Sequence, residues 1–352
     1  NFEDYEDIYR LEMPVTMFDA MEYRYDQTIL RPLIEEFEKC SPDVVVACDY
    51  EDIEADPRQK AVVNDNGAIS RYDIPHALSD SSLPDVFNLE FIAGRAEDYR
   101  NENDILLSEK YARMIFGDEN PIGRIMTLEM EEEPLKVVGV YRTLPENCTI
   151  INGMLICIGD ADLTLPNYNP HVGFFCLRDG ASAEKVTDDF RKAYTNFIMS
   201  GGQEVKDYQA EEIAGMRLTP IAGTHFLEDT MPGIKPYADR TQTMILLSIS
   251  LLFLLIAIFN YINFSMASIP FKINDINIEK VLGSSRKRLI FNQLKNSTLI
   301  ALVSFALAAG LMQLVSGSGF AAFSCCSLAL ADNMPAIAIC LIVSLIATAI
   351  GG

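Results

Sequence analysis

Tryptophan is absent from the 352 residues, and histidine occurs only three times. The first absence removes a common interfacial and stacking residue. His76, His171 and His225 lie far apart with no paired ligand spacing, which points to structural roles and not to a metal site. No Cys-x-x-Cys pair occurs among the eight cysteines, so redox and zinc-ribbon readings drop out. Cys40, Cys48, Cys148, Cys157 and Cys176 precede residue 240, while Cys325, Cys326 and Cys340 lie in apolar sequence. Buried thiols acting as small apolar side chains account for them; one disulfide stays open if the domain faces an oxidising compartment. Nothing matches G-x-x-x-x-G-K-[ST], so the chain has no phosphate loop with which to hydrolyse ATP itself. We expect no enzyme activity, no catalytic, cofactor or metal residues, and no cofactor in this chain. Basic charge is also scarce: 28 Lys and Arg stand against 50 Asp and Glu, a net of −22. Such an acidic surface repels phosphate and excludes nucleic acid as a partner.

The imbalance is local. Residues 1–240 hold 22 basic and 47 acidic residues, whereas residues 241–352 hold 6 and 3. Met244–Phe259 carries no charge, and its apolar character continues to Ile269. Thr298–Val315 is equally free of charge, and Pro335–Ile350 is a slightly short third run. A membrane-crossing helix needs about 20 such residues, so spans are expected at about 243–269, 298–318 and 335–352. The segment Pro270–Asn296 carries Lys272, Lys280, Arg286, Lys287, Arg288 and Lys295 against Asp275 and Glu279. The positive-inside rule places it in the cytoplasm and residues 1–240 outside, in a multi-pass protein of the cell inner membrane. The chain opens on Asn1 and closes at Gly351-Gly352 within an apolar run; we read it as a fragment whose first span precedes residue 1 and whose last is truncated. Asn260 and Asn263, one turn apart, are candidates for hydrogen bonds to a neighbouring transmembrane helix.

Strand and helix signals alternate in the acidic part. Ile8–Met13, Val44–Cys48, Gly153–Ile158, Gly173–Leu177 and Met216–Pro220 read as strands. Thr28–Lys39 has helical apolar spacing, and Ser182–Met199 reads as a helix with Ser182 as N-cap. These make two βαβ-like units about a hundred residues apart. Between them, Asp104–Phe116 reads as a strand end and a short helix, Gly117–Arg124 as a turn-rich link, and Arg124–Met130 and Leu135–Tyr141 as strands joined by the acidic turn Glu131–Pro134. The expected fold is therefore an α+β domain over 1–240 in two lobes, with a β-rich lobe inserted at about 60–149, followed by an all-α membrane region over 241–352. The acidic runs Asp49–Asp56 and Glu129–Glu133 lack an EF-hand pattern and read as solvated surface.

Two stretches carry a family likeness. Ile105–Met126 (ILLSEKYARMIFGDENPIGRIM) followed by Leu135–Ile150 (LKVVGVYRTLPENCTI) resembles the extracytoplasmic domain of MacB/FtsX-type ABC transporter permeases. Leu107, Ser108, Glu109, Ala112, Phe116, Gly117, Asn120, Pro121, Ile122 and Gly123 fit its pattern in order. Leu254–Ser268 and then Phe271–Ser285 (FKINDINIEKVLGSS) resemble the FtsX-like membrane region, with Lys272, Asp275, Ile276, Ile278, Lys280, Val281, Leu282 and Gly283 fitting. Asp275 stands for a Glu there, Asn277 for a Gly and Glu279 for a basic residue.

The resemblance implies a permease subunit that couples ATP binding and hydrolysis by a separate cytoplasmic ATPase to movement of an external domain, for export or extraction at the cell envelope. It also implies a second permease chain, a periplasmic adaptor or envelope partner, and contact with membrane lipid. The alternative is a membrane-tethered sensor or scaffold. Within the cytoplasmic segment, Ile278, Val281 and Leu282 share one helical face, and Lys272, Asp275 and Glu279 another. Gly283 suits the helix stop, and Ser284 or Ser285 the next cap. The expected ATPase-coupling helix, parallel to the membrane, therefore comprises Lys272, Asp275, Ile278, Lys280, Val281, Leu282 and Gly283.

Overall fold

The computed structural model describes residues 5–15, 25–52, 60–65, 68–129, 131–144, 148–159, 170–202, 204–226, 230, 240–316, 330 and 333–351. It divides into two units, Asn1–Asp239 and Arg240–Gly352.

The first unit begins with β1 (Ile8–Pro14), β2 (Tyr25–Asp26), β3 (Thr28–Leu30), α1 (Arg31–Cys40) and β4 (Val44–Asp52). Then come β5 (Ala61–Asp65), β6 (Ala68–Tyr72), β7 (His76–Ser79), α2 (Leu83–Val86), β8 (Phe91–Gly94), β9 (Asp104–Ser108), α3 (Glu109–Phe116), β10 (Ile125–Leu128), β11 (Glu131–Tyr141) and β12 (Met154–Cys157). It closes with β13 (Pro170–Leu177), α4 (Ala183–Ser200), α5 (Asp207–Gly215) and β14 (Arg217–Pro220).

β14, β1, β13 and β4 lie side by side, each antiparallel to the next. With α1 between β1 and β4, and α4 between β13 and β14, this is a split βαβ arrangement. Pro32 in the first turn starts α1. Leu33, Ile34 and Phe37 recur at helical spacing and are buried. Phe37 stacks on Phe190 of α4 with ring centroids 4.7 Å apart, and Phe175 of β13 lies against both rings. Ser182 caps α4 as expected, accepting from Lys185 N at 3.4 Å. The end of α5 is held by Arg191, whose guanidinium donates to the carbonyls of Ile213 (3.1 Å), Ala214 (3.1 Å) and Met216 (2.9 Å). Those are carbonyls a helix terminus leaves without intrahelical donors.

In the intervening region, β9 is buried at all five positions, the pattern of a strand covered on both faces. It pairs parallel with β11 and antiparallel with β12. Two glycines are forced by close approach: a Cβ on Gly153 would lie 1.9 Å from the Pro75 carbonyl oxygen, and one on Gly94, at φ +77°, 2.2 Å from that of Val138. Gly153 also exchanges hydrogen bonds with the buried Tyr141 hydroxyl, its N–H donating at 3.0 Å and its carbonyl accepting at 3.2 Å.

The mixed α/β domain followed by helices matches the expected fold class, but its internal connections differ. β4 pairs with β13 along one edge and, through Tyr50, Glu51 and Asp52, with β7 along the other. β12, expected in the second βαβ-like unit, sits between β7 and β9. Hydrogen bonding therefore runs unbroken from β14 to β6, so the inserted region is not detached in backbone pairing. The α1–α4 face of the sheet has its own core, while the opposite face of β1, β4 and β13 shares one with the inserted region, through Ile8, Cys48, Tyr50 and Phe174 beside Leu106, Tyr141 and Leu155. Glu131–Pro134 is the start of strand β11 and not a turn, because its acidic residues extend the ladder from Leu135 outward to pair with β10. Asp49 is buried within β4, which corrects the solvated reading of that acidic run; residues 53–56 lie outside the described residues.

The second unit comprises α6 (Arg240–Val281), α7 (Arg286–Ser316) and α8 (Met334–Gly351). Thr243–Phe264 and Thr298–Ser316 are long and apolar enough to cross a membrane; Met334–Ile346 is a shorter apolar helix. α8 packs against both α6 and α7. The segment expected as a separate helix is the continuation of α6, which runs on past Pro270 to Val281.

Candidate functional site

Three places bring functional groups together. The first is the joint between α6 and α7. Ser284 N donates to Glu279 O (2.9 Å) and Gly283 N to Lys280 O (3.0 Å), with Gly283 at φ +83°. This paired 6→1 and 5→2 pattern is a Schellman stop with glycine at the left-handed position. Ser285 then opens α7, its hydroxyl and carbonyl both accepting from Arg288 N. Both features were legible from Gly283-Ser284-Ser285. Val281 and Leu282 are 87% and 79% exposed, and Ile278 is exposed beside them. Lys280 is exposed and Glu279 half-buried; Lys272 and Asp275 lie earlier on the same helix. Asn260 and Asn263 are exposed on α6 within this single chain.

The second place is a carboxylate at the centre of β1. Glu12, fully buried, accepts from Arg10 (2.5 Å), Arg217 Nε (2.7 Å), Thr219 Oγ1 (3.0 Å) and Thr230 Oγ1 (3.4 Å). Arg10 also donates to Gln27 at 2.5 Å, and Arg217 covers the Tyr25 ring at 3.6 Å. The third is a polar seam at the start of α1. Arg31 donates to Asp49 and to the Gly159 carbonyl. Asp80 accepts from Asp49 N (3.0 Å) and Ser82 N (2.9 Å). Burial, then the neighbouring Asp49 charge, hold the Asp80 carboxyl well above the usual range. His171 Nε2 lies 3.6 Å from Glu51; burial lowers its pKa against the opposing pull of Asp49 and Glu51.

Sequence reading missed both buried clusters. For the first there was a signal: Arg10 and Glu12 share one face of a strand otherwise apolar from Ile8 to Met13, and two charges on a buried face need each other or a third partner. For the second, Arg31 and Asp49 are 18 residues apart on elements whose pairing only the tertiary fold sets. Of the two histidines whose side chains are described, His76 and His171, both are buried.

The model of the MacB-like periplasmic core domain matches residues 20–193. That match takes in just under half of the chain. The match covers the sheet from β2 to β13 together with α1 and the first half of α4, and it supports an ABC-type transporter permease subunit with an extracytoplasmic segment. Comparison with curated proteins gives no match. Among solved structures, a permease-protein domain from Porphyromonas gingivalis is 20% identical at a TM-score of 0.47, covering 63% of this chain and 93% of that one. The periplasmic region of MacB from Actinobacillus actinomycetemcomitans is 10% identical, TM-score 0.40, covering 61% and 88%. The extracellular domain of the noncanonic ABC-type transporter YknZ from Gram-positive bacteria is 15% identical, TM-score 0.38, covering 60% and 99%.

Proposed function

We propose that this permease transmits ATP binding and hydrolysis on a separate cytoplasmic ATPase to its MacB-like domain, for export or extraction of a substrate at the cell envelope. The observation that supports it is the α6–α7 joint. Val281 and Leu282 are large apolar side chains left uncovered at a glycine stop, in a segment whose six basic residues favour the cytoplasmic side. An apolar helix end of this kind fits a groove on a soluble partner. In this reading Ile278, Val281 and Leu282 dock, the exposed Lys280 lies beside them, and Gly283 fixes the angle into α7. ATP binds the partner and not this chain. A second permease copy supplies contacts for Asn260 and Asn263.

The test is ATPase stimulation in nanodiscs, using the ATPase that co-purifies with the full-length permease. Leu282→Asp puts an unpaired charge into the groove, which costs a few kcal/mol. Loss of stimulation with membrane insertion intact is the expected result. Equal stimulation by wild type and variant would reduce the segment to a membrane anchor.

A further inference from the structure

We propose that Glu12 is a positioning residue: it clamps the chain leaving the MacB-like domain for the membrane onto β1. The inference deepens the coupling reading above and rests on it for its purpose, but its geometry is independent of any ATPase.

The chain leaves the sheet by β14, which is poorly suited to bear load. Among the described residues, β14 is a four-residue edge strand paired only with β1, through the register Tyr9↔Pro220 to Glu12↔Arg217. Its last residue is a proline, which has no N–H for the ladder. Tension on the following segment would meet the weakest rung first and peel the strand from the sheet.

The Glu12 carboxylate changes that. Through Oε2 it holds Arg217 and Thr219 on β14, and it also holds Thr230, which follows the 3-10 turn Ile221–Phe226. One buried anion thus holds the chain at Arg217 and Thr219 and again at Thr230. The hold is reinforced from two sides. Arg217 donates to Thr230 Oγ1 at 3.2 Å, and Thr230 bridges to Tyr25 of β2 while Arg217 lies on the Tyr25 ring. Arg10 and Arg217 together offset the charge of Glu12, and hydrogen bonds between a guanidinium and a carboxylate are of the stronger, charge-assisted kind. Thr230 is ten residues before α6. A displacement arriving along that link is delivered to β1, which is paired on both edges, and β14 does not have to carry it alone.

Hydrogen exchange on the full chain in nanodiscs tests the clamp. Arg217 is partly exposed, so Arg217→Met is expected to fold. It should speed exchange of the amides in 217–230 at least tenfold while leaving β4 and β13 unchanged; Arg217→Lys, which keeps the charge, should restore most of the protection. Thr230→Val, which removes one hydroxyl and no charge, should speed exchange over the same segment by about threefold, and it carries the test if Arg217→Met does not fold. Unchanged exchange in 217–230, or an equal increase across β4 and β13, would overturn the clamp and show a contribution to general stability only. The two readings fail separately: loss of the clamp is seen in exchange without nucleotide, and loss of coupling in the Leu282→Asp ATPase measurement.

Discussion

Two buried arginine–carboxylate pairs stand in one sheet and are built on opposite plans. Around Glu12, two arginines and two threonine hydroxyls converge on a single carboxylate. At the seam, one arginine serves a crowd of acids: Arg31 meets Asp49 with Asp80 and Glu51 nearby. Asp49 Oδ1 and His171 Nδ1 have no hydrogen-bond partner among the described residues. The first cluster is saturated and fixes one geometry. The second is short of donors, and burial, then the Asp49 charge, holds the Asp80 carboxyl above the usual range. Burying charge stabilises a particular arrangement only when every lone pair is answered.

Breaking the saturated cluster should cost most. Glu12→Ala removes the buried carboxylate on which Arg10 and Arg217 converge, at a cost of about 3–5 kcal/mol; pulse proteolysis of the external domain should show this as a large drop in resistance. A loss below about 1 kcal/mol would mean the cluster is far wetter than its burial implies.

The seam should respond less to the matching deletion. Arg31→Met removes the guanidinium that pairs with Asp49, yet burial already shifts Asp80 toward its neutral form, so a loss of about 2–3 kcal/mol is expected, smaller than for Glu12→Ala. A larger loss than Glu12→Ala would reverse the comparison.

Acidity separates the two further. The folded-state pKa of His171 is depressed, so its contribution to stability is present above 6.5 and is lost as pH falls through the folded value. His171→Gln should therefore lose less stability than wild type between pH 7.5 and pH 5. Asp80 acts the other way. Its raised pKa gives a contribution that is full below 3.8 and declines as pH rises through the folded value. Wild-type and His171→Gln chains with parallel pH profiles would remove His171 from the seam's titration. The smallest effect belongs to the surface: Arg142→Gln breaks a two-pronged but exposed pair with Glu90, and the thermal midpoint should not move measurably.

Legibility in the sequence followed range. Ser182 at its cap, Gly283 at its stop and the apolar faces of α1 and α4 are local signals, and they were readable because each depends on residues within one turn. The uncharged runs of α6 and α7 were readable for the same reason. The pairing of β4 with β7, and the place of β12 between β7 and β9, were not, since alternation tells which face a residue occupies and not which strand lies beside it. The seam shares that limit. Arg10 and Glu12 were half-readable: their shared face in an apolar strand announces a buried pair, but nothing local identifies Arg217 and Thr230 as the other half.

The stop at Gly283 has a further consequence for what any partner could feel. Between Val281, the last residue of α6, and Arg286, the first of α7, there are only four residues. Fully extended, five steps of chain reach no more than about 17 Å, and here they are folded into a cap at each end. The connection has almost no slack. A push on the end of α6 is handed directly to the start of α7, so a ligand that touches Leu282 steers two helices through one handle.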